Sequence, residues 1–444
     1  MADTLIASTT HKMLAERIRN RTAVVGIVGL GYVGLPLALT SLRAGFRTIG
    51  FDVDEAKVRT LQSGGQYLRH IDHSDISSGM EAGRFEAVSD FFRISDADVI
   101  IICVPTPLGP HNDPDLSYIA ATMEEILPYL RPGQLVSLES STYPGTTEEY
   151  IARPIREQGF AIGEDLFVVY SPEREDPGNP EFSTGTIPKV VGGATPACLE
   201  LGSALYGAVV DKVVPVSSPE VAEMTKLLEN IYRAVNIGLV NELKTVADRM
   251  GMNIWDVIEA AATKPFGFKA FFPGPGLGGH CIPIDPFYLT WKARELGVHT
   301  RFIELAGEVN SAMPEWVVQK LIYGLSDRGV AIRDARVLVL GVAYKPNIDD
   351  VRESPAVEII DILTRHGAEV SYCDPHVPSI PPMRHHDLDM SSVEFSEQEV
   401  CAADCVLIAT DHDAFDYEMI YEKAQLIVDT RGRYREPNGK IIVA

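Results

Sequence analysis

From Ala23 the chain runs through an apolar, strand-like stretch to Val28, then Gly29-Leu-Gly31-Tyr32-Val33-Gly34, then a helix-like stretch from Leu35 to Ala44. Thr48 to Asp52 reads as the next strand, which completes a strand–helix–strand unit. Glycine at these three positions permits a tight turn, close backbone approach to a pyrophosphate, and close packing of the helix. The helix N-terminus then faces the phosphates. Asp52 stands 18 residues past Gly34 at the end of the second strand, where a carboxylate accepts from both ribose hydroxyls. No Arg follows it at once, which favours NAD over NADP. The competing reading is a glycine turn in a Rossmann fold without nucleotide. Ala23 to Leu42 is also uncharged and long enough to span a bilayer. Its breaks at Gly26, Gly29, Gly31, Gly34 and Pro36 predict strand, loop and helix instead of a signal peptide or anchor.

At 444 residues the chain exceeds one hydrophobic core, so two or three domains are expected. A net charge of −23 argues against nucleic acid or an anionic membrane as partner. The six cysteines are scattered, and Cys401 and Cys405 lack a second Cys or His pair, so no metal site is expected. Reduced thiols point to the cytoplasm.

A polar helical lead-in occupies residues 1 to about 20. Strand-like runs recur at Val99 to Val104, Gln134 to Leu138, Leu166 to Tyr170 and Lys189 to Val191. Strands alternating with helices predict a parallel, doubly wound sheet. From Ser218 the pattern changes to helical spacing over Glu220 to Met250, with Pro219 suited to the first turn. A second α/β block opens at Val337 and lacks the glycine motif. The fold class expected is α/β, with two Rossmann-like doubly wound domains joined by a long central helix and a helical middle. The expected domains are 1–217 (NAD binding), 218–325 (helical, carrying a cysteine loop) and 326–444 (substrate binding).

Several segments carry chemistry alongside blander explanations. The Val104-Pro-Thr106-Pro107 and Ser140-Ser-Thr142-Tyr-Pro-Gly145 loops follow strands on the cofactor side, yet Thr and Ser also simply end strands. Ser171-Pro-Glu173-Arg174 offers a general base for a water, or a solvated acidic loop. Lys226 and Asn230 are one turn apart and suit an oxyanion; the alternative is a surface Lys beside Glu223 and Glu229. Cys281 lies in Pro273-Gly-Pro-Gly-Leu-Gly278-Gly-His-Cys-Ile-Pro-Ile-Asp285, just before a helix start at which Asp285 and Pro286 suit the cap and first turn. A thiol there is readily ionised, and the glycines let a substrate approach; a structural Cys remains the other reading. Lys345 and Arg352 flank a strand-to-helix turn that suits a second diphosphate, or simple ion pairs with Asp349, Asp350 and Glu353.

Taken in order, GLGYVGLPLA, VPTP, ESSTYPG, SPERxxPGN, Lys-x-x-x-Asn, GPGLGGHCIPID and GVAYKPNxxDxRESP resemble the UDP-sugar (nucleotide-sugar) 6-dehydrogenase family from about residue 22 onward. The resemblance implies an amino-terminal NAD domain, a carboxyl-terminal UDP domain, and a long helix that builds a homodimer. It also implies oxidation of a sugar C6 alcohol to a carboxylate with two NAD, Cys281 being the nucleophile of a thiohemiacetal and thioester. Lys226 and Asn230 match the oxyanion pair, Asp285 and Thr142 the groups that organise a water, and Glu173 the acid near the thioester. Gly29, Gly31, Tyr32, Val33, Gly34, Asp52, Lys57, Thr106, Thr142 and Arg352 match cofactor contacts. Glu173, Arg174, Lys226, Asn230, Gly278, Lys345 and Arg431 match substrate contacts. Two positions depart from the UDP-glucose members: Ile284 stands where Lys is usual, and Arg-Glu-Asp-Pro-Gly follows Glu173 in place of Phe-Leu-x-Glu. Both departures resemble the branch acting on 2-acetamido sugars, UDP-N-acetylglucosamine 6-dehydrogenases first, with the UDP-N-acetylmannosamine and UDP-glucose enzymes as alternatives. A two-electron hydroxyacid-type dehydrogenase would yield one NADH and not need Cys281. A non-catalytic nucleotide-binding module would bind without turnover.

Overall fold

The computed structural model describes residues 2–68, 74–109, 111–174, 185–279, 282–383, 386, 388–436 and 438–444, with side chains from Thr9 onward. Cys281 lies outside the described residues. The chain forms two compact units, one of Met1–Glu229 with Trp291–Gly297, the other of Asn230–Thr290 with Val298–Ala444.

The first unit is built on a sheet of β1 (Val24–Val28), β2 (Arg47–Phe51), β3 (Phe85–Val88), β4 (Val99–Ile102), β5 (Leu135–Leu138), β6 (Phe167–Tyr170), β7 (Lys189–Gly193) and β8 (Val213–Val216), in the order β3-β2-β1-β4-β5-β6-β7-β8. β1 to β6 are parallel; Val25 pairs with both Thr48 and Val99. β4, β5 and β6 are buried along their whole length, which is why they read as apolar runs, interrupted only by Ser137 in β5. The helix Gly34–Arg43 packs Leu35, Leu37, Ala38, Leu39 and Leu42 into the core. Ala23 to Leu42 thus divides into strand, loop and helix. No helix among the described residues is long and apolar enough to cross a membrane.

Two strands depart from the expected all-parallel sheet, β7 and, parallel to it, β8. β7 runs antiparallel to β6, with Val169 opposite Gly193 and Tyr170 opposite Gly192. An apolar run buried on both faces carries no signal of its direction, so the sequence could not disclose this. The consequence is local: β7 begins beside the end of β6, so Lys189 stands at the carboxyl mouth of the parallel strands.

The second unit carries β9 (Arg336–Leu340), β10 (Glu369–Cys373), β11 (Cys405–Ile408), β12 (Ile427–Asp429) and β13 (Ile441–Val443), all parallel, in the order β10-β9-β11-β12-β13. Ser354 caps the helix Pro355–Arg365, which buries Val357, Ile359, Ile360 and Leu363. The helix Pro219–Arg249, 31 residues long, contains the division between the two units. Ala222, Leu227, Ile231, Ala234, Val240 and Ala247 are buried along it, while Val221, Leu228, Tyr232, Leu239, Leu243 and Val246 are exposed.

Candidate active site

The three loop glycines have different tasks. Gly29 has φ +91°, and a Cβ there would lie 2.8 Å from the Cys103 carbonyl oxygen. A Cβ on Gly34 would collide with the Gly29 carbonyl oxygen. These two serve the turn and the packing. A Cβ on Gly31 would meet no atom of the described residues within 4 Å, so its missing side chain leaves room for a pyrophosphate. Tyr32 and Val33 are partly exposed beside it.

Asp52 is buried at the end of β2. Its Oδ2 accepts from Leu30 N at 2.9 Å and its Oδ1 from Asp54 N at 2.9 Å, while Lys57 Nζ lies 3.5 Å from Oδ2. The carboxylate therefore ties the glycine loop to the second strand. The open cradle, the helix N-terminus and the anchored carboxylate fit NAD. Thr106 is buried in the loop after β4, and Ser140 Oγ donates to Val104 O at 2.7 Å, linking that loop to the one after β5.

Thr142 is fully buried, and its hydroxyl has no hydrogen-bond partner among the described residues. An unpaired buried hydroxyl is expensive, so it marks a place where a ligand or water belongs. The loop that carries Thr142 is held by Glu223 of the long helix. That carboxylate accepts from Gly145 N at 2.6 Å, Thr147 N at 2.8 Å and Thr147 Oγ1 at 2.7 Å. Burial pushes Glu223 up to about 7, against the pull of these donors.

Lys226 is buried one turn further along, and its Nζ donates to the Glu173 carbonyl oxygen. No carboxylate among the described residues pairs with it. The surface-lysine alternative therefore fails: Glu223 faces the Thr142 loop, and Glu229 is held by Arg174 at 2.5 and 3.1 Å. Arg174 also donates to Pro188 O at 2.6 Å, so the structure commits its guanidinium to protein groups. Glu173 Oε1 accepts from Arg174 N at 2.7 Å, and its Oε2 lies 3.5 Å from Lys189 Nζ. Glu139 and Lys189, which the sequence did not single out as site residues, form a buried ion pair at 2.7 Å beside it.

In the second unit, Asn230 Nδ2 donates to Asp285 Oδ2 at 2.5 Å, and both residues are buried. Asp285 is the first residue of the helix Asp285–Glu295, and Ile284 before it is also buried. The cysteine loop is clamped upstream at Gly274, whose N donates to Asn241 Oδ1 and whose O accepts from Lys244 Nζ, both at 3.0 Å. Lys244 is buried with its ammonium 4.6 Å from the Trp316 ring; burial pushes it down to about 7, with Arg431 adding to the effect. Sequence reasoning missed this clamp, because a single Lys on a helix gives no signal of its burial.

A Cβ on Gly278 would lie 2.5 Å from the Tyr344 Cβ, and Gly279 N donates to Arg352 O at 3.0 Å. These glycines admit the neighbouring Tyr344 loop. Arg352 forms a two-pronged ion pair with Asp350 at 2.9 and 2.6 Å, and Lys345 is partly exposed in the same loop. Arg431 Nε donates to Ala409 O at 2.7 Å, and its Nη1 would lie 3.1 Å from a Cβ on Gly274.

Comparison with known proteins assigns a family along almost the whole chain. Residues 23–210 match the NAD binding domain of the UDP-glucose/GDP-mannose dehydrogenase family, 220–312 its central domain, and 338–436 its UDP binding domain. The chain is 36% identical over 395 residues to the UDP-N-acetyl-D-glucosamine 6-dehydrogenase of Pseudomonas aeruginosa, covering 88% of this chain and 91% of that protein. It is 35% identical over 416 residues to Protein CapL of Staphylococcus aureus, covering 92% and 95%. Among solved structures, the UDP-D-ManNAc dehydrogenase of Pyrococcus horikoshii superposes with a TM-score of 0.84 at 31% identity, covering 94% of this chain and 98% of that one. This chain belongs to the UDP-glucose/GDP-mannose dehydrogenase family and is an NAD-dependent UDP-sugar 6-dehydrogenase.

Proposed function

We propose that the enzyme oxidises C6 of a UDP-N-acetyl-hexosamine, UDP-N-acetylglucosamine foremost, from alcohol to carboxylate through Cys281. Bound NAD accepts the hydride in each oxidation. The first oxidation removes a hydride and a proton from the alcohol and leaves an aldehyde. The Cys281 thiolate adds to that carbonyl to give a thiohemiacetal, and loss of a second hydride and the hydroxyl proton gives a thioester. Water then cleaves the carbon–sulfur bond, which returns the thiol and releases the uronate. The sum is one alcohol, one water and two NAD giving one carboxylate, two NADH and three protons.

The observation that carries this reading is Lys226, a buried ammonium with no carboxylate partner among the described residues. It is one helical turn from Asn230, which holds Asp285. A desolvated cation and an amide on one helix face suit an oxyanion that appears in both oxidation steps. The Thr142 hydroxyl, without a partner among the described residues, suits a water, with Glu173 as its general base, and the family resemblance gives Asp285 a water-organising role. Lys345 and Arg431 suit the diphosphate and uridine side of the substrate.

The N-acetylated sugar is supported by Ile284 and Arg174 at the two departures from the UDP-glucose pattern, and by the name of the Pseudomonas aeruginosa relative. UDP-N-acetylmannosamine is the second reading, since relatives at 32 to 33% identity carry that name. The exposed row Val221, Leu228, Tyr232, Leu239, Leu243, Val246 repeats at steps of three, four and seven residues, which keeps it on one face and suits a second copy of this chain. Five unpaired thiols among the described residues suit a reducing, cytoplasmic setting. NADH yield per sugar, measured on UDP-N-acetylglucosamine, UDP-N-acetylmannosamine and UDP-glucose, tests the reading. Two NADH from UDP-N-acetylglucosamine at the highest kcat/KM is expected; one NADH per sugar refutes the thioester route.

A further inference from the structure

The buried pair Lys189–Glu139 is not used by the chemistry above. Their side chains are 5% and 0% exposed, with Nζ 2.7 Å from Glu139 Oε2. Glu139 Oε1 accepts from Tyr206 OH at 2.6 Å, and Tyr206 shares a second hydrogen bond with Ser137 at 2.7 Å. Both Glu139 oxygens are thereby fixed, and they fix the ammonium in turn. A buried ion pair of this kind adds little net stability compared with apolar side chains of the same volume. Its position is more informative. Continued beyond β6, the antiparallel register that pairs Tyr170 with Gly192 sets Glu173 opposite Lys189. The ammonium indeed lies 3.5 Å from Glu173 Oε2.

The titratable groups around Glu173 come from three strand ends at this mouth and from the long helix, and burial pushes the first of them, the Cys103 thiol, well up. Cys103 follows β4, Glu139 follows β5, and Lys189 opens β7, while the long helix contributes Lys226 and, through Arg174, Glu229. Burial disfavours the Lys189 ammonium, yet Glu139 and Glu173 outweigh it and hold Lys189 well above the usual lysine range. Lys189 is therefore a permanent cation beside Glu173.

We propose that Lys189, locked by Glu139, is a positioning residue for Glu173. It keeps that carboxylate ionised and in one orientation, ready to take a proton from the water that cleaves the thioester. The inference rests on the reading of Glu173 as that base. An opposite charge within about 4–6 Å favours a carboxylate's ionised form by roughly one to three pH units.

The test compares full-length Lys189→Met/Glu139→Gln, which removes both charges together, with Lys189→Arg and Glu173→Gln. The readouts are kcat and KM across pH, and the first-turnover burst of NADH. The double variant should fold and bind NAD, keep its burst, and show the acidic limb of kcat moved up by about one pH unit. Lys189→Arg should restore the wild-type limb. An unmoved limb in the double variant, with Glu173→Gln inactive, overturns the role of Lys189. Wild-type kcat in Glu173→Gln overturns the reading of Glu173 beneath it. Failure of the double variant to fold assigns the pair to stability, and likewise overturns the proposal.

Discussion

Glu223→Gln is the perturbation whose size can be worked through most fully. Glu223 is fully buried at the foot of the Thr142 loop, and burial raises its pKa from 4.5 to about 7. A raised carboxyl contributes stability that is fully present below the unfolded value and lost as pH climbs through the folded one. Between pH 4.5 and 7 the loss is 1.36 kcal/mol per unit, about 3 kcal/mol in all. Gln does not titrate, so its stability relative to the wild type must improve as pH rises. With a sequence pI of about 4.9, the low end of the measurement belongs above pH 5. From pH 5.5 to pH 8.5 the remaining change is about 2 kcal/mol in favour of Gln. For a unit of this size that is roughly 4–8 °C in melting temperature. The assay is thermal unfolding of both proteins at the two pH values. Absolute Tm values carry every other titration; the difference between the proteins isolates Glu223. A Tm difference that is the same at both pH values would refute the reasoning, since it would mean Glu223 is ionised in the folded protein throughout this range.

Lys244→Met should show the opposite sign. Its pKa is depressed from 10.5 to about 7, so the wild type gains stability as pH rises, and the advantage of Met should shrink by about 3 kcal/mol between pH 7 and 9.5 in the same melts. Gly31→Ala should leave stability within about 0.5 kcal/mol of wild type but weaken NAD binding by calorimetry, whereas Gly34→Ala should lower Tm sharply because its Cβ meets Gly29 O. Cys281→Ser should abolish uronate formation by mass spectrometry while NAD binding persists; uronate at the wild-type rate would eliminate the covalent route. Leu239→Asp, at a residue 54% exposed on the long helix, should shift a dimer towards monomer in sedimentation without lowering helix content.

The Rossmann architecture was legible wherever a pattern repeats locally. The Gly29 to Gly34 loop, its flanking strand and helix, Asp52 and the second α/β block all follow from period and spacing, and the structure puts them where those patterns require. Lys226 and Asn230 were legible as neighbours, because helical spacing alone brings them to one face. Their burial was not, since a helix sequence does not say which face the rest of the chain covers. Glu139, Lys189, Tyr206 and Glu223 were not singled out as site residues at all. Each is a single residue in an ordinary strand or helix, and its partners lie tens of residues away.

The sequence by itself determined the kind of chain and the cofactor, and singled out the residues proposed above for the oxidation chemistry, because glycine geometry, helix periodicity and ordered motifs are properties of neighbours along the backbone. Only the tertiary structure decided which charges are buried, which carboxylate holds which loop, and that β7 turns back against β6. Those depend on strand direction and on contacts between distant segments. The reversal of β7 shows the difference best: nothing in Lys-Val-Val-Gly-Gly states its direction, and that direction is what brings Lys189 to Glu173.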